Sequence, residues 1–356
     1  MQNIKMPVLQ WPGIFFVQPF GIFFCSLQKT TRTMKNLKIT VFADPVCTWC
    51  WGSVPVLRAL EYSLADKVEI EYVMGCMIDD IRKYNNRRLG IGGDIALSNR
   101  NIMNVWNEAS AVHGMPVCER GFHLFSEEYT STVPQNLAYI AATIYHHKVG
   151  GKELCPKRFL RRLQEATAID AALTCDATVV ADIAAAVGYE PARFKEIMQG
   201  REAQHVLEEE RALCRRYDVN TFPTYLLEYR ETEIMLRGFT SFETLVQNIS
   251  EMSYGKMKLP DDGRLLPAKE NVRSFVERYG SVYPVEIATA FSLARKSGKS
   301  ALNVESYEHL PDIIEELVAE GHIAMRLRGN GFIIYAKKHI EAHNFPVDEL
   351  VEGALL

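Results

Sequence analysis

Apolar and polar positions change period several times along this chain, and each change marks an element. LKITVFA, residues 37 to 43, alternates and is rich in β-branched side chains, the pattern of a strand. SVPVLRALEYSLADK, residues 53 to 67, carries its apolar residues at helical spacing. VEIEYVMGCM, residues 68 to 77, reads as a second buried strand. A strand, a crossover helix and a second strand make a βαβ unit. From 78 to about 205 the pattern is almost wholly helical, punctuated at Asn85–Asn86, at Gly92–Gly93, at HGMP and at KVGG. PKRFLRRLQEATAID and ATVVADIAAAVG are its strongest helices, the second capped by Asp176 and ended by Gly188. The mixed pattern then returns. EAQHVLEEERALCRRYD predicts a helix, VNTFPTYLLEY a loop entering a strand, ETEIMLRGF its hairpin partner, and SFETLVQNISEM a closing helix capped by Ser241.

LPDDGRLLPAK, residues 259 to 269, is turn-rich and reads as a linker. Residues 270 to 345 then form a separate unit: helices over ENVRSFVERYG, PVEIATAFSLARKSG and SYEHLPDIIEELVAEG, followed by a hairpin turning at Gly-Asn-Gly. Helices followed by a hairpin predict a winged-helix-like module. Winged helices often bind DNA through the helix before the wing. Here that helix region carries Glu305, Glu308, Asp312, Glu315, Glu316 and Glu320 and no Lys or Arg, so phosphates would repel it. No nucleic-acid partner is expected; protein docking, dimerisation or structural support is.

Composition narrows the class. A hydrophobic fraction of 47% with 24% charged residues is that of a soluble globular chain, and a net charge of -4 gives no pull toward nucleic acid. Six of the eight cysteines are scattered among apolar residues, which suits a reducing compartment, so a cytoplasmic location is expected. The apolar stretch WPGIFFVQPFGIFFC has the length of a signal segment but is broken by Pro12, Gln18 and Pro19. Residues 1 to 36 are therefore expected to be disordered or an over-extended start, with an export signal as the alternative. The same stretch is too short and broken to span a membrane, so no membrane partner is expected.

The chemistry concentrates in DPVCTWCWG, residues 44 to 52, at the junction between the first strand and its helix. Cys47 and Cys50 stand one helical turn apart, close enough to bridge. The first sits at the helix N-terminus, facing unsatisfied N–H groups and the positive end of the dipole. Both favour the anionic sulfur that performs thiol–disulfide exchange. Cys47 is thus the expected nucleophile and Cys50 the resolving thiol. No histidine lies between them, so one source of thiolate stabilisation is missing. Trp49 and Trp51 are candidates for an apolar rim that receives substrate, or for covering the sheet edge. Asp44 is a candidate proton acceptor for Cys50, with a turn or cap role as the alternative. Zinc would need two further ligands at matching spacing, and His146 and His147 are adjacent, so no metal and no other cofactor is expected.

TFPT, residues 221 to 224, completes a pattern. A strand, a C-x-x-C helix and a distant X-Pro-Thr opening a hairpin resemble a thioredoxin fold. DPVCTWCWG, FLRRLQEA, DATVVADIAAAVGYEPARF and VNTFPTYLL, in that order, resemble the DsbA family and most closely its FrnE-like branch, over residues 37 to 253. The resemblance implies an α/β, thioredoxin-like domain over residues 37 to 258 with a helical insertion at about 78 to 205. It also implies a cis Phe222–Pro223 bond facing the cysteines, with the backbone at Phe222 and Thr224 pairing with substrate. The implied activity is dithiol–disulfide exchange with cysteine-containing proteins or small thiols, reset by a thioredoxin- or glutathione-type partner. The family's more oxidising members carry histidine within the pair, and this chain does not. The alternative function is a non-catalytic adaptor on the same scaffold, delivering clients through the C-terminal unit.

Overall fold

Every residue of LKITVFA except Lys38 is buried, which places this strand, β1 (Leu37–Ala43), inside its sheet. A computed structural model of the chain describes residues 37–150, 154–261, 263–291 and 310–338. Expectations for residues 1 to 36, for the predicted C-terminal helices within 292–309, and for the end of the module beyond 338 lie outside them. After β1 come a short helix, α1 (Thr48–Gly52), and a longer one, α2 (Val54–Leu64). Between them the Ser53 hydroxyl donates to the Cys50 carbonyl at 2.7 Å, and Pro55 opens α2. The strand β2 (Val68–Met74) then pairs parallel to β1, completing the βαβ unit.

The insertion begins with α3 (Ile95–His113), capped by Asp94, and continues through α4 (Val133–Val149), α5 (Pro156–Ala168), α6 (Ala177–Ala185), α7 (Pro191–Gln199) and α8 (Arg201–Arg216). Asp176 accepts hydrogen bonds from the N–H groups of Thr178 and Val179, the predicted cap of α6. Helices α4 to α7 enclose a core of their own around Phe159, Phe194 and Tyr189. The segment between α3 and α4 is irregular, where the sequence pattern predicted helix. Its backbone is held by tertiary partners instead: the Asn99 amide oxygen accepts from the N–H groups of Leu124 and Phe125, and its amide nitrogen donates to the Phe125 carbonyl at 2.7 Å.

The hairpin β3 (Thr224–Tyr229) and β4 (Thr232–Arg237) and the helix α9 (Phe242–Met252) close the thioredoxin-like body. Its sheet runs β2-β1-β3-β4, with β3 antiparallel to β1. The C-terminal module is α10 (Lys269–Tyr279), β5 (Ser281–Val282), α11 (Pro284–Phe291), α12 (Leu310–Ala319), β6 (Ile323–Arg328) and β7 (Gly331–Ala336), with sheet order β5-β7-β6. This is the element order of a winged helix. Strand β5 has only two residues, too few for a period of two to show in the pattern. One apolar core runs unbroken from the main sheet into the module: Leu37, Leu60 and Tyr225 share it with Val272, Phe275, Ile287 and Ile314. Among the described residues no helix is long and apolar enough to cross a membrane.

Candidate functional site

Strand register brings the two halves of the site together. Phe42 pairs with Thr224 and Ala43 with Met74. The chain therefore leaves β1 toward the cysteines at the same sheet end where the proline loop enters β3 and where β2 finishes. Beyond Ala43 the backbone turns sharply. The Asp44 carboxylate accepts from the Val46 N–H at 3.0 Å and the Asp44 carbonyl from the Cys47 N–H at 3.1 Å. That turn sets Cys47 as the N-cap of α1, where its sulfur accepts the Cys50 N–H at 3.4 Å. On its other side the Cys47 sulfur faces the Phe222 carbonyl oxygen at 3.5 Å, and the Phe222–Pro223 peptide is cis. The Pro223 carbonyl is tied to the Gly238 N–H at 2.8 Å, anchoring the loop to the end of β4. Cys47, Cys50, Phe222 and Pro223 thus converge, both thiols are free, and they are 5% and 4% exposed. Burial pushes the Cys50 thiol well above its ordinary range, and the neighbouring Cys47 adds to the shift.

Three of the residues singled out in the sequence are completely buried. Trp51 is completely buried: its indole N–H donates to the Pro116 carbonyl at 2.9 Å and its ring meets Tyr283 edge-on at 5.8 Å. It packs between the stretch after α3 and the C-terminal module. Thr224 is also completely buried, and its hydroxyl donates to the Thr221 carbonyl at 2.8 Å. Asp44 has no exposure and four donors: Val46 N–H, Met77 N–H, the Thr132 hydroxyl and the Asn136 amide. Its carboxylate ties the ends of β1 and β2 to α4, and burial pushes its pKa up, against those hydrogen bonds. Trp49, by contrast, is half-buried beside Phe239, ring centroids 5.6 Å apart, and forms an apolar shelf next to Cys47.

Sequence reasoning missed His113. The residues between the cysteines offer no histidine, but the last residue of α3 supplies one from below. Its Nδ1 accepts the Met115 N–H at 3.0 Å, which leaves the proton on Nε2, 3.4 Å from the Thr48 hydroxyl. Its ring meets Trp49 edge-on at 5.9 Å and lies against Gly52, where a Cβ would fall 2.4 Å from it. Burial pulls its pKa down to about 4, so the imidazole is neutral at physiological pH. In the sequence His113 belongs to HGMP, which carries only a turn signal.

Two further thiols, Cys214 and Cys76, are buried away from the pair. Cys214 packs with Phe42, Val73 and Leu226, and Cys76 lies under Thr132 at the end of β2; burial pushes each up to about 12. Among the described residues no group of three or more His, Cys, Asp or Glu side chains gathers in a way that could hold a metal ion.

Comparison with known proteins adds two findings. Residues 40–247, more than half of the chain, match the model of a family described as thioredoxin. The chain is 24% identical over 287 residues to the ClpXP adapter protein SpxH of Halalkalibacterium halodurans, covering 79% of this chain and 87% of that protein. It is 20% identical over 263 residues to the protein of the same name from Bacillus subtilis, covering 73% and 80%. The first match is longer than everything before the 259–269 segment, so it reaches into the C-terminal module. Among solved structures, a candidate protein disulfide isomerase from Nitrosomonas europaea shares the fold with a TM-score of 0.50 at 16% identity, over 62% of this chain and all of that one.

Proposed function

The chain belongs to the thioredoxin family, and on that premise we propose that it is a thiol–disulfide oxidoreductase acting through Cys47 and Cys50. The observation that carries this reading is the double engagement of one sulfur. Cys47 caps α1, receiving the Cys50 N–H, and faces the carbonyl of the Phe222–Pro223 peptide at 3.5 Å. A substrate cysteine brought to Cys47 therefore lies beside the Phe222 backbone, with the Trp49–Phe239 shelf for an apolar neighbour. In the reducing direction, the Cys47 thiolate attacks one sulfur of a substrate disulfide, forming a mixed disulfide and releasing the other sulfur as a thiolate. The Cys50 thiolate then attacks the Cys47 sulfur and releases the second substrate sulfur. The substrate gains two electrons and two protons, and the enzyme is left with a Cys47–Cys50 disulfide. A thioredoxin- or glutathione-type thiol returns it to the dithiol state, and the same steps reversed oxidise a substrate dithiol. Cysteine-containing proteins in a reducing, cytoplasmic setting are the proposed substrates.

The second reading, a non-catalytic adaptor, is favoured by the SpxH relatives, since the match to the Halalkalibacterium halodurans protein extends into the C-terminal module. One experiment separates the two. Insulin reduction and rescue of scrambled disulfides are measured for the wild type, Cys47→Ser and Cys50→Ser. The enzyme reading expects activity lost in Cys47→Ser and a trapped mixed disulfide in Cys50→Ser. It is abandoned if the wild type is inactive in both assays while client binding is the same in Cys47→Ser. Because Cys50 is held protonated well above neutrality, the lifetime of the mixed disulfide is expected to shorten steadily as pH rises from 7 to 9.

A further inference from the structure

Two arms of the C-terminal module close on the turn that carries the cysteines. The first arm is α11. Its Glu286 has no exposure at all. One carboxylate oxygen accepts from Arg58 of α2 at 2.8 Å and from Arg161 of α5 at 3.3 Å; the other accepts from Arg161 at 2.8 Å and from the Tyr283 N–H at 2.7 Å. Arg161 also pairs with Glu165 at 2.8 Å, and its guanidinium lies over the Trp51 ring at 4.6 Å and the Tyr283 ring at 4.8 Å. Trp51 is the residue that follows Cys50. The second arm is the turn between β6 and β7. Asn330 exchanges two hydrogen bonds with the backbone of Val117, at 3.0 and 2.9 Å. Val117 adjoins Pro116, whose carbonyl holds the Trp51 indole, and the same stretch starts at His113 under Thr48 and Trp49.

Charge in this cluster is balanced, with Arg58 and Arg161 against Glu165 and Glu286. Removing Glu286 alone leaves an excess cation packed against Trp51, in a buried setting where water screens little. An excess cation near a thiol pair stabilises the thiolate-bearing reduced form over the uncharged disulfide.

We infer that Glu286 is a positioning residue for the Cys47–Cys50 couple: it fixes and neutralises Arg161 over Trp51, and so helps set the dithiol–disulfide balance of the pair. The C-terminal module is on this account a component of the redox site. The inference rests on the redox reading of the pair proposed above.

The test uses the full chain. Wild type, Glu286→Gln and Arg161→Met are equilibrated with mixtures of reduced and oxidised glutathione, and the dithiol fraction is read by alkylation and mass spectrometry. Two glutathione thiols give up two electrons and two protons for each Cys47–Cys50 disulfide reduced, so the balance gives the equilibrium constant directly. Glu286→Gln keeps the side-chain shape and removes the charge. It is expected to shift the constant toward the dithiol by about threefold or more, equivalent to about 14 mV. Cys47 is expected to be alkylated faster at neutral pH in the same variant. Arg161→Met leaves an excess anion and is expected to shift the constant the other way, so it carries the test if Glu286→Gln does not fold. A folded variant with the wild-type balance and the wild-type alkylation rate overturns the inference, as does a shift of both variants in one direction. If the wild type forms no Cys47–Cys50 disulfide at any glutathione ratio, the redox reading fails instead, and the alkylation rates still decide whether Glu286 acts on Cys47.

Discussion

Both positions between the cysteines rest on a single imidazole. His113 touches the Thr48 hydroxyl and the Trp49 ring, and it is neutral because burial holds its pKa at about 4. The linkage has a definite sign. As pH falls, an unfolded chain takes up this proton near 6.5, whereas the folded chain refuses it until about 4. Stability is therefore lost across that window and levels off below it. His113→Gln removes the titration, and groups such as Asp44 that titrate in both chains cancel in the difference. Urea midpoints at pH 7.5 and pH 5 are expected to show the wild type losing about 2 kcal/mol more than His113→Gln on acidification. An identical acid limb in the two chains would remove His113 as its cause. The cysteine pair was legible in the sequence because its signal is local, two thiols one turn apart at the start of a helix. The division of labour between Trp49 and Trp51 was not, because residues two apart on a helix point to different sides and only packing decides which side is wet. His113 was illegible because its partners lie 65 residues away.

Elements place the site through their ends, and the tightest of these ends is that of β2. Gly75 follows it, bonded to the Ala43 carbonyl at 2.9 Å, and its hydrogen faces the Phe222 ring, where a Cβ would fall 2.1 Å from the nearest ring carbon. The end of β2 therefore fixes how closely the proline loop approaches Cys47. Gly75→Ala forces the ring away without changing either cysteine. It is expected to cost about 1–3 kcal/mol of stability, as overpacking does, and to slow reduction of protein disulfides more than alkylation of Cys47 by a small reagent. Urea denaturation and paired insulin and alkylation assays check both parts; equal losses in the two assays would mean that Phe222 does not position substrate. The strands and most helices were readable because their apolar periods are long. The stretch after α3 was not, since its order comes from the Asn99 side chain and from Val117 pairing with the module. Glu286 could not be picked out either: one acid in PVEIATAF reads as a solvated position on a helix, and only the docking of α11 onto α2 removes it from water.

At the scale of the whole molecule, the winged-helix pattern is used inward. Helix α11 is spent on α2, and the hairpin turn that could serve as a wing is spent on Val117. The outer face of α12 keeps Asp312, Glu315 and Glu316 exposed, a surface that repels phosphate. A module whose own period is complete looks detachable in sequence, but the buried charges say otherwise. Ending the chain at residue 258 would remove Glu286 while leaving Arg58 and Arg161 behind, and it would strip Tyr283 from the Trp51 ring. Leaving buried charge without its partner costs about 3–5 kcal/mol, a large part of the 5–15 kcal/mol that holds a typical domain folded. The shared core around Leu60, Phe275 and Ile287 would be opened as well. A chain truncated at residue 258 is therefore expected to lack a cooperative urea transition and the near-ultraviolet dichroism of fixed aromatic rings. Adding Arg58→Leu and Arg161→Met to the truncated chain removes the stranded charges, and part of the transition is expected to return. A truncated chain that unfolds at the full-length midpoint would show that the body stands alone and that the module is cargo rather than structure.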